Sequence, residues 1–395
     1  MKVVIITPFY YIKGREKLFH DTSCVHYLLK YWPKNTEVYV FNEYHSWFKQ
    51  WSRYFYKSER NYLKNGYYFQ EDGIKVNLIE IPIFPKQKKL YSFQKNKMIS
   101  FINNYLKENK IIPDVAIFHQ PSYYCIQYMD ELNLSCPKIA ILHYSDVIED
   151  MRNNKFHEQL KKFNYIFSRS KYIKEYFVNK KVNNIQEDII FSGAPMHNQN
   201  INRFFSAQKF NILYVGKLIK RKKADLLLKA VKQLGLDRIN KVTIIGEGPE
   251  EKSYKKLCQK LQLEEYVDFI PKVERNKILE YMDNSEIFAM PSVGETVGLV
   301  YLEAMSRGCL TIATKNEGID GIIINKKNGY LVEPNSVESI KKTLKNIIDS
   351  SEKTLETISK NALTTAKEFS EEKVGLEYYN LINKIVKEVA KNEKI

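Results

Sequence analysis

The sequence has no run of the ~18–20 apolar residues that a membrane-spanning helix needs, so any membrane contact is expected to be peripheral. It holds only five cysteines (Cys24, Cys125, Cys136, Cys258 and Cys309), an odd number without metal-ligand spacing, which read as reduced thiols of a cytoplasmic protein. No Asp-x-Asp sequence and no His/Cys pair at ligand spacing occurs, so neither a metal nor another cofactor is expected. The N-terminal MKVVIITPFYY carries a short apolar run, but not the length or cleavage pattern of a secretory signal. Low-complexity segments and short repeats are lacking too. What is abundant is positive charge and aromatic side chains. The formal net charge is +16, with 28 Tyr and 21 Phe. Residues 1–200 hold 29 Lys+Arg against 19 Asp+Glu, a net of +10, which leaves +6 for the rest. Such a balance points to an anionic partner: a phosphorylated ligand, an anionic membrane surface or nucleic acid. An AT-rich genome would also enrich Lys, Asn and Ile.

At 395 residues the chain exceeds one ordinary core, and two domains are expected. Short β-branched runs alternate with helical segments. Lys2–Thr7, Glu37–Phe41, Ile74–Ile81, Asp114–Phe118, Lys138–Leu142, Tyr165–Ser168 and Asp188–Phe191 read as strands of a first doubly wound parallel sheet. After an aperiodic join near residues 193–209 the pattern restarts. Strands are expected at 210–215, 241–245, 267–270, 287–290 and 310–313, with helices over 223–234 and 250–261. The expected α/β architecture is two Rossmann-like domains, 1–195 and 205–370. A final helix begins near Glu371, where Ser370 and two glutamates give a helix-start signal.

One stretch departs from the alternation. At 100° per residue, Trp47, Phe48, Trp51, Tyr54, Phe55 and Tyr62 share one face of a helix over residues 44–68. Lys49, Arg53, Lys57, Arg60 and Lys64 share the other. That pattern suits a helix lying in a membrane interface, and equally a helix that packs its aromatics on the core. Nucleic acid fits less well, because cations and aromatics are segregated.

The chemistry concentrates in the second half. In PSVGETVGLVYLEAMSRG (291–308), a polar turn leads into a helix starting near Gly298. Glu295 lies in the turn, and Glu303, eight residues on, sits among Leu302, Ala304 and Met305. A carboxylate in an apolar run is costly unless something bonds it. A helix N-terminus offers free N–H groups and a positive dipole end. Eight helical residues would span about 12 Å, which suits a ligand with hydroxyls at both ends and a diphosphate between. Gly216 closes a strand and is followed by Lys217, Lys220, Arg221, Lys222 and Lys223, a reasonable phosphate site or simply a solvated charge run. Gly246-Glu247-Gly248-Pro249 is a tight turn that fails as a dinucleotide fingerprint for want of its third glycine. Asn316-Glu317-Gly318 lies at the same expected sheet edge.

Together these pieces resemble the retaining glycosyltransferases of GT-B fold, in particular glycosyltransferase family 4. The resemblance runs from about Phe210 to Val332: the Gly216-Lys217…Lys222 loop, the GEGP turn, FIPK at 269–272, the glutamate pair, and NGYLVEP at 328–334. It is weaker in the first half, resting on ITPFY (6–10) with Gly14, IFHQP (117–121) and ILH (141–143). Lys217 stands where the family usually has Arg, Thr296-Val297 where it has Gly-Phe, and SGAP (192–195) where it has Asn-Gly-Val-Asp.

The resemblance implies two domains facing across a cleft, with the final helix packing back on the first. It implies transfer of a hexose or N-acetylhexosamine, with retention, from a nucleotide sugar, UDP-linked in the first instance. Lys217 and Lys222 would neutralise the departing diphosphate, and the amides of Gly298 and Leu299 would hold its distal phosphate. Glu303 would accept from the ribose hydroxyls, Glu295 would orient the sugar, and Ile270 would lie against the base, with Gly216 and Gly246 shaping the pocket. His119, at a strand end, would face the donor sugar as a positioning group, with His143 as its competitor. Gly14 would leave room for phosphate or acceptor. The expected partners are the donor and a glycan acceptor, lipid-linked, with no nucleic acid. The expected place of work is the cytoplasmic face of the membrane, in cell-surface polysaccharide biosynthesis. The rival readings are a non-catalytic partner subunit of the same fold, a sugar-nucleotide epimerase and a basic nucleic-acid-binding protein.

Overall fold

The computed structural model describes residues 1–8, 10, 24–47, 67–84, 87–196, 203–205 and 209–392. Two compact units emerge: Met1–Arg169 with Ile173–Ser192 and Glu371–Ile395, and Ser170–Tyr172 with Gly193–Ser370.

The first unit is built on an eight-stranded sheet. Its strands are β1 (Lys2–Thr7), β2 (Glu37–Trp47), β3 (Tyr67–Glu71), β4 (Ile74–Ile83), β5 (Val115–His119), β6 (Lys138–Leu142), β7 (Tyr165–Ser168) and β8 (Ile185–Ile189), in the spatial order β3-β4-β2-β1-β5-β6-β7-β8. Central strands are covered on both faces, which is why they read as unbroken apolar runs rather than alternating ones. Val3 to Ile6 and Val115 to Phe118 are 0% exposed. Every pairing is parallel except β3 with β4.

Two expectations need correction here. The helix over residues 44–68 is not what its ends form. Tyr44–Trp47 continues β2, with Trp47 opposite Ile83, and Tyr67 and Tyr68 open the antiparallel β3. The overlooked signal is Asp72-Gly73. Both residues have positive φ, 48° and 80°, the geometry of a two-residue hairpin turn. Trp47 is therefore not on a helix, while Phe48, Trp51, Arg53 and Phe55 lie outside the described residues. The last strand is β8 at Ile185–Ile189 instead of 188–191, because an edge strand is half exposed and its apolar run does not mark it.

Helix Glu371–Asn392 belongs to this unit and buries Val374, Tyr378, Ile382 and Ile385 on one stripe, at helical spacing. Gly375 permits close packing, since a Cβ there would stand 3.2 Å from the Leu28 carbonyl. Trp32 meets Tyr378 edge to face at 5.2 Å.

The second unit carries a parallel six-stranded sheet of β9 (Phe210–Val215), β10 (Ile239–Ile245), β11 (Val267–Ile270), β12 (Ile287–Ala289), β13 (Leu310–Thr314) and β14 (Tyr330–Val332), ordered β11-β10-β9-β12-β13-β14. The order reverses direction at β9, whose neighbours are β10 and β12. In such sheets the carboxyl ends of the strands beside that switch are where ligands bind.

Candidate functional site

At the carboxyl edge of the second sheet, the loops after β9, β10 and β11 are stitched to one another. The amide of Gly216 donates to the Ile245 carbonyl at 3.0 Å, that of Gly246 to Ile270 at 2.9 Å, and that of Leu218 to Glu247 at 2.9 Å. The approach is too close for side chains. A Cβ on Gly246 would lie 2.0 Å from the Gly216 oxygen, and one on Gly248 2.2 Å from the Leu218 oxygen. Glycine is required by backbone contact, so these two positions need no ligand to explain them. Ile270 is half-buried at the end of β11.

Past β12 the chain passes through Met290 and the Pro291–Val297 turn into helix Leu299–Ser306. Gly298 is its N-cap, with φ 79°, and the Tyr301 ring would stand 2.6 Å from a Cβ there. The Tyr301 hydroxyl donates to the Met290 carbonyl at 2.6 Å and meets the Ser292 hydroxyl at 2.8 Å, pinning the turn from below. The helix has neither a side-chain cap nor an acidic residue in its first turn, so its own residues do not offset its positive end. From Glu295 to Gly298 the backbone is a turn, so the ~12 Å separation expected from eight helical residues does not apply.

Glu295 and Glu303 are 7% and 8% exposed, and each is bonded. Glu295 Oε1 receives Arg221 Nη1 at 2.5 Å and Lys222 Nζ at 2.8 Å. Its Oε2 lies 3.8 Å from where a Gly298 Cβ would stand. Lys222, its side chain 12% exposed, also lies 3.8 Å from the Met290 sulfur, and that sulfur is 3.2 Å from a Cβ placed on Gly216. Gly216, Lys222, Glu295 and Gly298 therefore form one cluster. Lys217 is exposed, and no side-chain partner is found for it among the described residues. Glu303 Oε1 pairs with the Arg275 guanidinium, at the first turn of helix Arg275–Asp283.

Of three further residues here, Arg221 and Glu317 stand in stretches that the sequence reading named without giving them a role, and Arg275 escaped it. Glu317 Oε2 accepts from the amides of Gly294 and Glu295 at 2.8 and 2.9 Å, fastening the turn that carries Glu295. Burial lifts its pKa, and those amide bonds counteract part of the rise. Gly318 lets the strands of backbone meet, because a Cβ there would fall 1.9 Å from the Thr296 oxygen. The carboxylate three residues past β13 was the available signal for Glu317; Arg221 and Arg275 stood in runs with other charged residues and had none.

The first unit treats His119 differently from the expectation that it faces a ligand. It is 0% exposed, with Nδ1 3.2 Å from His143 Nε2 and Nε2 3.1 Å from the Tyr378 hydroxyl. Both ring nitrogens are engaged inside the unit. Burial, reinforced by the charge of Arg169, pushes the pKa of both imidazoles well below the ordinary histidine value, so both are neutral. Gly14 lies outside the described residues.

Residues 197–365 match the family model of glycosyl transferases group 1. An uncharacterized glycosyltransferase of Haemophilus influenzae is 31% identical over 183 residues, 46% of this chain and 51% of that one. The chain thus spans about half the length of that relative. Among solved structures, Anabaena Alr3699/HepE in complex with UDP superposes with a TM-score of 0.69 at 16% identity, covering 97% of this chain and 100% of that one. The apo form of the lipopolysaccharide outer core galactosyltransferase WaaB gives 0.69 at 16%, covering 97% and 99%. The chain has the GT-B fold of two Rossmann-like units, and its second unit carries the group 1 glycosyl transferase pattern.

Proposed function

We propose that the protein is a retaining glycosyltransferase that takes a hexose or N-acetylhexosamine from a UDP-linked donor bound at the second unit's sheet edge. The observation that carries this reading is the cluster of Lys222, Glu295 and Gly298 at an uncapped helix N-terminus, within the residues that match the group 1 pattern. The UDP in the HepE structure supports the choice of base, and the similarity to the galactosyltransferase WaaB supports the sugar class.

In this reading the diphosphate lies at the helix end, where the amides of Gly298 and Leu299 and the charges of Lys222 and Lys217 meet it. Glu303 turns from Arg275 to the ribose hydroxyls, and Glu295, held by Arg221 and Lys222, accepts from the sugar hydroxyls. The acceptor oxygen forms the new bond to the anomeric carbon on the face from which the phosphate oxygen leaves. The bond between the anomeric carbon and the phosphate oxygen breaks, leaving its electron pair on the diphosphate, which also takes the acceptor's proton. Lysines and a helix end absorb the developing charge, so we propose metal-independent turnover, to be checked with a chelator. The acceptor is a glycan, lipid-linked, of a cell-surface polysaccharide, in keeping with the +10 charge of residues 1–200. No helix among the described residues is long and apolar enough to cross a membrane.

A thermal-shift panel of nucleotide sugars tests the donor, because a ligand that binds the folded state raises its melting temperature. Glu303→Ala and Lys222→Ala should each lower turnover on the order of 10²-fold; near-normal turnover in either removes its assignment. Flotation with anionic liposomes tests the lipid surface. Binding that survives replacement of Trp47, Trp51 and Phe55 by Ser rules that stretch out.

A further inference from the structure

Arg169 follows β7 directly, and its amide donates to the Leu142 carbonyl at the end of β6 at 3.1 Å. His119 closes β5 and His143 follows β6, so all three stand at the carboxyl edge of the first unit's sheet. Arg169 is 1% exposed, among the largest fully buried side chains of the molecule. Its Nη2 donates to the Ser192 hydroxyl, while Nε and Nη1 have no partner among the described residues.

A guanidinium does not deprotonate in a protein, so burial cannot neutralise it. It must find an anion or bear a desolvation penalty of several kcal/mol. No carboxylate among the described residues supplies that anion. The ionisable groups that favour its charge are Cys24 and Tyr378, and burial pushes both upward, leaving a neutral thiol and a neutral phenol. The two neighbouring imidazoles are neutral and not acidic. The unit therefore holds a fixed positive charge with three unused N–H donors at the edge where α/β sheets bind ligands. Three donors on one planar cation suit a group with several oxygen acceptors and a negative charge.

We propose that Arg169, with Ser192, binds a phosphoryl oxyanion in the first unit, the charged group of the acceptor. That assignment rests on the transferase reading for the ligand's role, but not for the binding itself. The source is a free phosphorylated sugar or a lipid phosphate, which share this chemistry. Burial of Arg169 means that the anion enters through local opening, so association is slow.

The test uses the full chain with saturating UDP, which occupies the second unit, and reads the additional melting-temperature rise from inorganic phosphate, a sugar phosphate, or a prenyl phosphate in micelles. The wild type should show the rise, and Arg169→Gln and Ser192→Ala should bind phosphate more weakly, by roughly tenfold to a hundredfold for the arginine change. Without phosphate, Arg169→Met should melt higher than the wild type, because an unpaired buried cation is gone. A larger rise with sugar phosphate than with prenyl phosphate identifies a soluble acceptor, and the reverse identifies a lipid one. No phosphate-dependent rise, an equal rise in Arg169→Gln, or a rise with acetate but not phosphate overturns the proposal. Should Arg169→Gln fail to fold, Ser192→Ala decides: phosphate binding equal to wild type overturns it. Absence of any UDP effect would instead count against the donor reading, leaving the phosphate result to stand alone.

Discussion

Glu295 and Glu303 are buried to the same degree, yet their cations differ in kind. Lys222 beside Glu295 is sheltered, whereas the Arg275 side chain beside Glu303 is 37% exposed. A pair open to solvent contributes about 0–1 kcal/mol. Arg275→Met should therefore change donor affinity less than ~5-fold, far below the effect of Glu303→Ala, as measured by UDP titration calorimetry. If Arg275→Met matches Glu303→Ala, the arginine itself is a ligand contact. Both glutamates were legible in the sequence because carboxylates next to apolar residues demand a reason. Their pairings with cations were not: Arg221 and Arg275 lie 74 and 28 residues away along the chain, in contacts that only folding creates.

At the scale of elements, the glycines of the second sheet's edge separate into two kinds. A Cβ added at Gly246 or Gly318 would meet backbone oxygens at 2.0 and 1.9 Å, which cannot move aside. Alanine at either should cost about 3 kcal/mol or more. At Gly216 the nearest atom is the Met290 thioether sulfur at 3.2 Å, the end of a flexible side chain, so Gly216→Ala should cost less than ~1 kcal/mol. Urea unfolding of the three variants checks this order, and equal losses would mean that the loops rearrange freely. The central strands were readable from their doubly buried apolar runs. The β3–β4 hairpin was obscured by the aromatic periodicity of residues 44–68, although Asp72-Gly73 names the turn. Periodicity records which residues share a face and is blind to register, so the continuation of β2 to Trp47 needed the partner strand β4.

For the whole molecule, acid sensitivity follows from the buried histidines. His26, His119 and His143 have pKa values lowered mainly by burial, so the unfolded chain binds more protons on them below about pH 6.5. Stability therefore rises with pH through that range and is lost as pH falls. Asp146, lifted by burial to about 6, and Glu317, also lifted by burial, oppose this below their own pKa values. The melting temperature should drop between pH 7.5 and 5.5, and the drop should shrink in His143→Asn. A flat profile would mean that the imidazoles are not sealed from water.

The sequence by itself determined the repeated strand–helix alternation, the two Rossmann-like units and the glutamates and glycines at the second sheet's edge. These follow from local properties: apolar runs long enough for buried strands, and residue types that a tight turn or a helix end requires. Only the tertiary structure decided which cation meets which carboxylate, that His119 is closed off by His143 and Tyr378, and that Arg169 is buried with no carboxylate partner among the described residues. Tyr378 lies 259 residues beyond His119, and nothing in a local pattern encodes a contact between side chains so distant along the chain. Burial, and with it the strength of every charge, is a property of the packed chain.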